Sequence, residues 1–304
     1  MDSLYSDFDF SILEDKQFKE DSVREELIVP LLRKLGYSAS GLNKIIRSKA
    51  LLHPYVSFGT QKRKIYITPD YLLQINDINY CILDAKSPKE VIHTGKNVEQ
   101  AYSYAIHKDV RVNYYALCNG YEFVLFHINK HDPLLYFKLQ TIDYYWSGLE
   151  HYLGADRRSK SDPERRIKPD LGLHLLKLGL ANKTKEGKEI NNIFLLTAFM
   201  IAKLDENNYS INCYTNSPLD SEEEVEHLLT LDFDSEKYKQ FLQTASFFSE
   251  DLRQKVDFDL HHAPFHHTFE EPEFCSIGAT CHIGEKIYTN EDESYCPFVV
   301  DGFF

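Results

Sequence analysis

Apolar positions return every three to four residues in DSVREELIVPLLRKLGY. Val23, Leu27, Leu31 and Leu35 share one side and Gly36 supplies a stop, so a helix is predicted there, after a short acidic leader. From about Tyr55 the pattern changes to β-branched and aromatic residues, which predicts strands near 63–67, 70–75 and 79–86, with Asn76-Asp77 as the turn between the last two. Gly95 then opens KNVEQAYSYAIHK, a predicted helix with Val98, Ala101, Tyr102 and Ala105 on one face and Gln100 and Tyr104 on the other. Two alternating apolar runs flank Asn119-Gly120 in VNYYALCNGYEFVLFHI, a strong hairpin signal. Helix, antiparallel strands, helix and two strands predict a mixed α/β domain over residues 1–150.

Residues 155–170, ADRRSKSDPERRIKPD, are basic and broken by Pro163 and Pro169, and predict a linker or exposed arm within 151–188. Beyond it, helices are predicted at about 189–204, 219–230 and 235–254, the last with Ser235 as N-cap, and short strands in the final stretch. Residues 189–304 are thus expected to form a smaller α+β domain. A length of 304 residues agrees with two domains, and the balance of 43% hydrophobic against 27% charged residues is that of a globular chain. The longest apolar run, IFLLTAFMIA, falls well short of the roughly 20 residues that span a bilayer. The acidic N-terminus lacks the basic and apolar regions of a signal peptide, so the cytoplasm is the expected location and no membrane partner is expected.

The six cysteines include no CxxC pair, and Cys81 and Cys118 within apolar runs read as small buried hydrophobes. Charge is unevenly spread. Residues 1–150 carry 18 basic and 19 acidic residues, 151–188 carry 10 and 5, and 189–304 carry 6 and 23, so the net charge of −13 belongs to the C-terminal third. An acidic total therefore does not exclude a nucleic-acid partner for the first domain.

Chemistry concentrates in TPDYLLQINDINYCILDAKSP. Side chains alternate along a strand, so Asp84 and Lys86 share a face, and a turn at 76–78 returns Asp70 beside residues 83–85. Two carboxylates this close repel unless a cation sits between them, and oxygen ligands from Asp70, Asp84 and the Ala85 carbonyl suit Mg²⁺ or Mn²⁺. Such an ion polarises a phosphodiester, while Lys86 can orient water or meet developing negative charge. The plain alternative is a surface ion cluster at a strand end.

The surroundings decide between these, because Pro69-Asp70 followed by Asp84-Ala85-Lys86 resembles the PD-(D/E)xK nucleases. More specifically, the stretch resembles the N-terminal nuclease domain of type I restriction enzyme R subunits. Glu20, Val23, Arg24 and Leu35-Gly36-Tyr37 match that group's preceding helix, Gln100 and Tyr104 its Q-x-x-x-Y helix, and Asn119-Gly120 its following turn. The resemblance covers roughly residues 15 to 130. It implies a restriction-endonuclease-like mixed β-sheet flanked by helices, metal binding by Asp70 and Asp84, catalysis by Lys86, and a supporting or DNA-backbone role for Gln100 and Tyr104. Glu20 is also implied in the site, although Asp21 and Glu25 are close enough to take its place. Asp84 stands where a glutamate is common, and no G-x-x-x-x-G-K-[ST] loop is present, so ATP-driven translocation is not expected.

The expected function is a Mg²⁺-dependent endonuclease acting on DNA, in restriction or anti-phage defence as the resemblance implies. An RNA-directed nuclease, or a non-catalytic nucleic-acid or protein-binding module on the same fold, are the alternatives. Lys62, Arg63, Lys64, Lys86, Lys89 and Lys96, and an arm with Arg157, Arg158, Arg165 and Arg166, are candidate phosphate contacts. The acidic C-terminal domain is read as a protein- or small-signal-binding domain, a shield for the nuclease, or a solvated appendage, with Glu222-Glu223-Glu224 as the first turn of a helix. Cys275, Cys281, His282 and Cys296, with His262 and His266 upstream, raise a structural zinc, although C-x₅-C is loose for a ligand pair. Homo-oligomerisation is left open.

Overall fold

The computed structural model describes residues 4–58, 61–155, 170–180, 192–217, 225–244, 249–270, 275–291 and 293–304. Two compact units divide the chain, Met1–Ile167 with Lys177–Gly179, and Lys168–Leu176 with Leu180–Phe304.

The first unit is built on a six-stranded mixed sheet. Its strands are β1 (Lys44–Arg47), β4 (Tyr71–Ile75), β5 (Ile78–Ala85), β6 (Tyr114–Cys118), β7 (Glu122–His127) and β8 (Leu135–Lys138), in that order across the sheet, while β2 (Leu51–Phe58) and β3 (Gln61–Ile67) form a separate hairpin. Only β5 and β6 run parallel, joined by the crossover helix Lys96–Ile106. Asn76 and Asp77 both adopt positive φ, which lets a two-residue turn follow the twist of its strands.

Strand alternation sorts the core onto two faces. Tyr71, Leu73, Cys81, Leu83 and Ala85 pack beneath the first helix and helix Ile142–Leu153, whereas Leu72, Ile82, Tyr115 and Leu117 face Ala101, Tyr102 and Ala105 of the crossover helix. The first helix is α-helical over Glu20–Ser22, π-helical over Val23–Ile28 and α-helical again over Val29–Lys34. The leader is not a solvated tail: Tyr5, Leu13 and Phe18 are buried, and the Tyr5 hydroxyl donates to the Leu27 carbonyl at 2.6 Å.

The basic arm lies outside the described residues at 156–169, with Arg157, Arg158, Arg165 and Arg166. The region beyond it is not simply a linker, since helix Leu171–Lys177 buries Leu171, Leu173 and Leu175.

In the second unit the expected helices near 189–204 and 219–230 are strands, β9 (Asn192–Lys203) and β11 (Val225–Asp234). Between them β10 (Asn208–Ser217) pairs with both. The run IFLLTAFMIA places apolar residues on both faces of β9, Leu196 and Ala198 buried but Leu195 80% exposed, and an unbroken apolar run of that kind reads as readily as a helix. The expected helix 235–254 is two helices, Ser235–Thr244 and Glu250–His261. Asp234 rather than Ser235 caps the first, its carboxylate accepting from the Lys237 amide at 2.9 Å. Glu222-Glu223-Glu224 lie outside the described residues.

The remaining strands are β12 (His266–Thr268), β13 (Cys275–Ile283), the short pair β14 (Tyr288–Thr289) and β15 (Ser294–Tyr295), and β16 (Phe298–Phe303). Pairings run β10, β11, β16, β13, β9, and the β9–β10 ladder closes them into a ring. Ile211, Cys213, Leu231, Ala279, Cys281 and Phe298 are among its buried residues.

Candidate active site

The β4–β5 register sets the site. Tyr71 pairs with Leu83 and Leu72 with Ile82, so Asp70, one residue before β4, returns beside Asp84. The same parity that buries Leu72 and Ile82 against the crossover helix turns Asp70, Asp84 and Lys86 to that face. Each strand end clamps the other: the Ala85 amide donates to Asp70 Oδ2 at 2.8 Å, and the Asp70 amide donates to Asp84 Oδ1 at 3.2 Å. Lys86 Nζ donates to Asp84 Oδ2 and, at 3.1 Å, to Gln100 Oε1, while its amide extends the parallel ladder to the Cys118 carbonyl at 2.9 Å.

The expected residues therefore meet, and Arg24 joins them. Its Nη1 lies 3.5 Å from Asp70 Oδ1 and 3.3 Å from Asp21 Oδ1, and its guanidinium sits 5.6 Å from the Tyr71 ring centre. Arg24 Nε is buried without a hydrogen-bond partner among the described residues, so the group is held for its charge more than for a filled set of bonds. Its sequence signal is its place four residues after Glu20, which puts both on one stretch of the first helix.

Charge is crowded here. Burial and the neighbouring Asp84 push the Asp70 carboxyl up to about 6, against the opposing pull of the Ala85 amide and Arg24. Glu20 is exposed, yet partial desolvation raises its carboxyl, with Lys86 lowering it and Asp84 raising it, which places it within electrostatic reach of both. Burial and then Asp84 push the Tyr104 phenol up to about 12, so it stays a hydrogen-bond donor at neutral pH. Tyr104 is not on a solvated face: it is 5% exposed and packs with the crossover-helix core, whereas Gln100 is exposed.

Among the described residues no three His, Cys, Asp or Glu side chains are grouped to hold a metal ion. The pair Asp70 and Asp84 offers oxygen donors only. That chemistry fits Mg²⁺ or Mn²⁺, since Mg²⁺ keeps several waters and binds through one or two carboxylates.

The zinc expectation in the second unit is not assembled. Cys275 and Cys281 lie six residues apart on β13, about 20 Å along a strand, which is too far for one ion. His282 Nδ1 instead lies 3.0 Å from Asp301 Oδ1, and the Cys296 thiol donates to the Gly284 carbonyl. His262 stacks on Phe258, and His266 contacts the Pro264 carbonyl.

Among the described residues no helix is long and apolar enough to cross a membrane. Comparison of the chain with protein-family models, with curated proteins and with solved structures finds no match.

Proposed function

We propose that this chain is a metal-dependent nuclease of restriction-endonuclease-like fold that hydrolyses phosphodiester bonds of DNA. The observation that carries the reading is the convergence of Asp70, Asp84 and Lys86 on one sheet face, beneath a helix that adds Gln100 and Tyr104. A structural scaffold gains nothing from two carboxylates held together at a cost to ionisation.

Asp70 and Asp84 would hold Mg²⁺ or Mn²⁺, which when bound supplies charge neutralisation and a more acidic water. The remaining roles belong to the chain. Lys86 Nζ is aimed by Gln100 Oε1 and offers a fixed positive charge to the attacking water or the phosphate. The Tyr104 phenol, held protonated, can donate to a phosphate oxygen. Arg24 favours the ionised form of Asp70, which a cation requires. Glu20 borders the site as a further acceptor. A role in restriction or anti-phage defence follows only from the sequence resemblance.

A non-catalytic binding module is the second reading, favoured by the fact that Arg24 and Lys86 already face the two carboxylates. Incubation of the purified chain with plasmid, single-stranded DNA and RNA, with Mg²⁺, Mn²⁺ or EDTA, separates the readings. Metal-dependent cutting that falls by roughly 100-fold or more in Asp84→Ala and Lys86→Ala is expected. Cutting that survives both substitutions sinks the assignment, and cutting confined to RNA replaces the substrate.

A further inference from the structure

Beside the end of β5 the first unit opens into a cavity of about 680 Å³. Pro88 and Glu90, two and four residues past Lys86, line it, as does Asn119, which follows the Cys118 carbonyl that accepts from the Lys86 amide. We propose that this cavity takes one unpaired nucleobase of the strand being cut, so that the enzyme acts on single-stranded or locally unpaired nucleic acid. The inference rests on the nuclease reading and adds the form of its substrate.

The volume lies within the range of small-ligand pockets. The walls offer flat rings in Tyr121, Phe10 and His93, and Tyr121 is 38% exposed although the rest of its turn is held in place. Asn119 fixes that turn: its Oδ1 accepts from the amides of Tyr121 and Glu122 at 3.0 and 2.8 Å, and its Nδ2 donates to the Glu90 carbonyl at 2.8 Å. Glu122 and His93 are tied as well. Tyr136 donates to Glu122 Oε1 at 2.6 Å and lies 5.2 Å, ring to ring, from His93. Pre-set aromatic surfaces of this kind are what a base stacks on, and every base has a face to offer.

Three glutamates line the cavity, which at first sight opposes a polyanion. Glu90, however, faces the Lys96 ammonium at 3.9 Å and accepts from the Asn97 amide at 3.1 Å, and Glu122 is turned to the Tyr136 hydroxyl. Glu14 is left as an acceptor, beside Gln140, and Lys138 supplies the one positive charge among the lining residues. A carboxylate acceptor next to stacking rings selects a base that carries an exocyclic amino group, such as cytosine.

The test measures binding by the full chain in EDTA at low salt, so that it does not depend on cutting. Two single strands of equal length are compared, one wholly abasic and one carrying a single cytosine in an otherwise abasic backbone, which keeps the phosphate contribution equal. The single base is expected to tighten binding roughly five- to hundred-fold. Tyr121→Ala, or His93→Ala if the first variant does not fold, is expected to abolish that gain. Equal affinity for the two strands overturns the proposal, as does a gain that persists in the folded variants. A chain that shows the base-dependent gain but never cuts loses only the catalytic reading. A chain that cuts without the gain loses only the base pocket.

Discussion

Asp70 ionises against its surroundings. Burial and Asp84 raise its carboxyl from an unfolded value near 4 to about 6, so between those values the folded chain binds a proton that the unfolded chain has released. Stability attributable to this group is therefore present at low pH and is lost as pH rises through about 6. In EDTA, Asp70→Asn is expected to raise the unfolding free energy by about 1–3 kcal/mol above pH 6, with the gain vanishing near pH 4, as urea titrations at the two pH values will show. The same group predicts that Mg²⁺ affinity weakens as pH drops below about 6, because the cation then has to displace the proton, as metal titrations at pH 5 and pH 7 will show. Asp70, Asp84 and Lys86 were legible from strand parity and one turn. Arg24 was legible only as part of a motif, since its role depends on contact between the first helix and β4, and the burial of Tyr104, opposite the apolar face, was not legible because helical periodicity does not report how much of a helix its neighbours cover.

Turns and caps carry the elements that hold those residues. Gly120 has φ +88°, and a Cβ there would lie 2.9 Å from Leu13 Cδ2 and 3.3 Å from Leu27 Cδ1. Gly120→Ala is expected to lower stability by about 1–2 kcal/mol, measured by urea unfolding, and to loosen the Asn119 turn beside Lys86. In the second unit Ser249 accepts from the Leu252 amide at 3.2 Å, and Ser249→Ala is expected to cost about 1 kcal/mol on the same assay. The central elements of the first unit, β4 to β7 with the two helices about them, were readable because the turns Asn76-Asp77 and Asn119-Gly120 announce themselves, whereas β1, β8 and helix Ile142–Leu153 carry no such signal. The elements of the second unit were not readable. An apolar run such as IFLLTAFMIA fits strand or helix equally well, and the choice is made by β10 and β13, which lie far along the chain.

At the scale of the molecule, charge separates the two halves of the chain. Residues 189–304 carry 23 acidic against 6 basic residues, while residues 1–150 are nearly balanced. A chain ending at Gly179 is therefore expected to bind single-stranded DNA more tightly than the full chain at low salt. The difference should shrink as ionic strength rises, since screening removes long-range repulsion first. Equal affinity at every salt concentration would leave the acidic residues without effect on substrate. The ring of β10, β11, β16, β13 and β9 has a different consequence, for behaviour in concentrated solution. In a closed ring each of these strands has its neighbours within the chain, so templated strand addition, the first step of fibril growth, finds no long open edge there. The first unit's sheet ends in β1, which carries Lys44 and Arg47 and is bridged by Ser38 at Lys44, and in β8, which carries Lys138. Charged side chains on these outer strands, Lys44 and Arg47 held by Asp77 and Glu25, have to be desolvated before a further strand can add, which disfavours such addition.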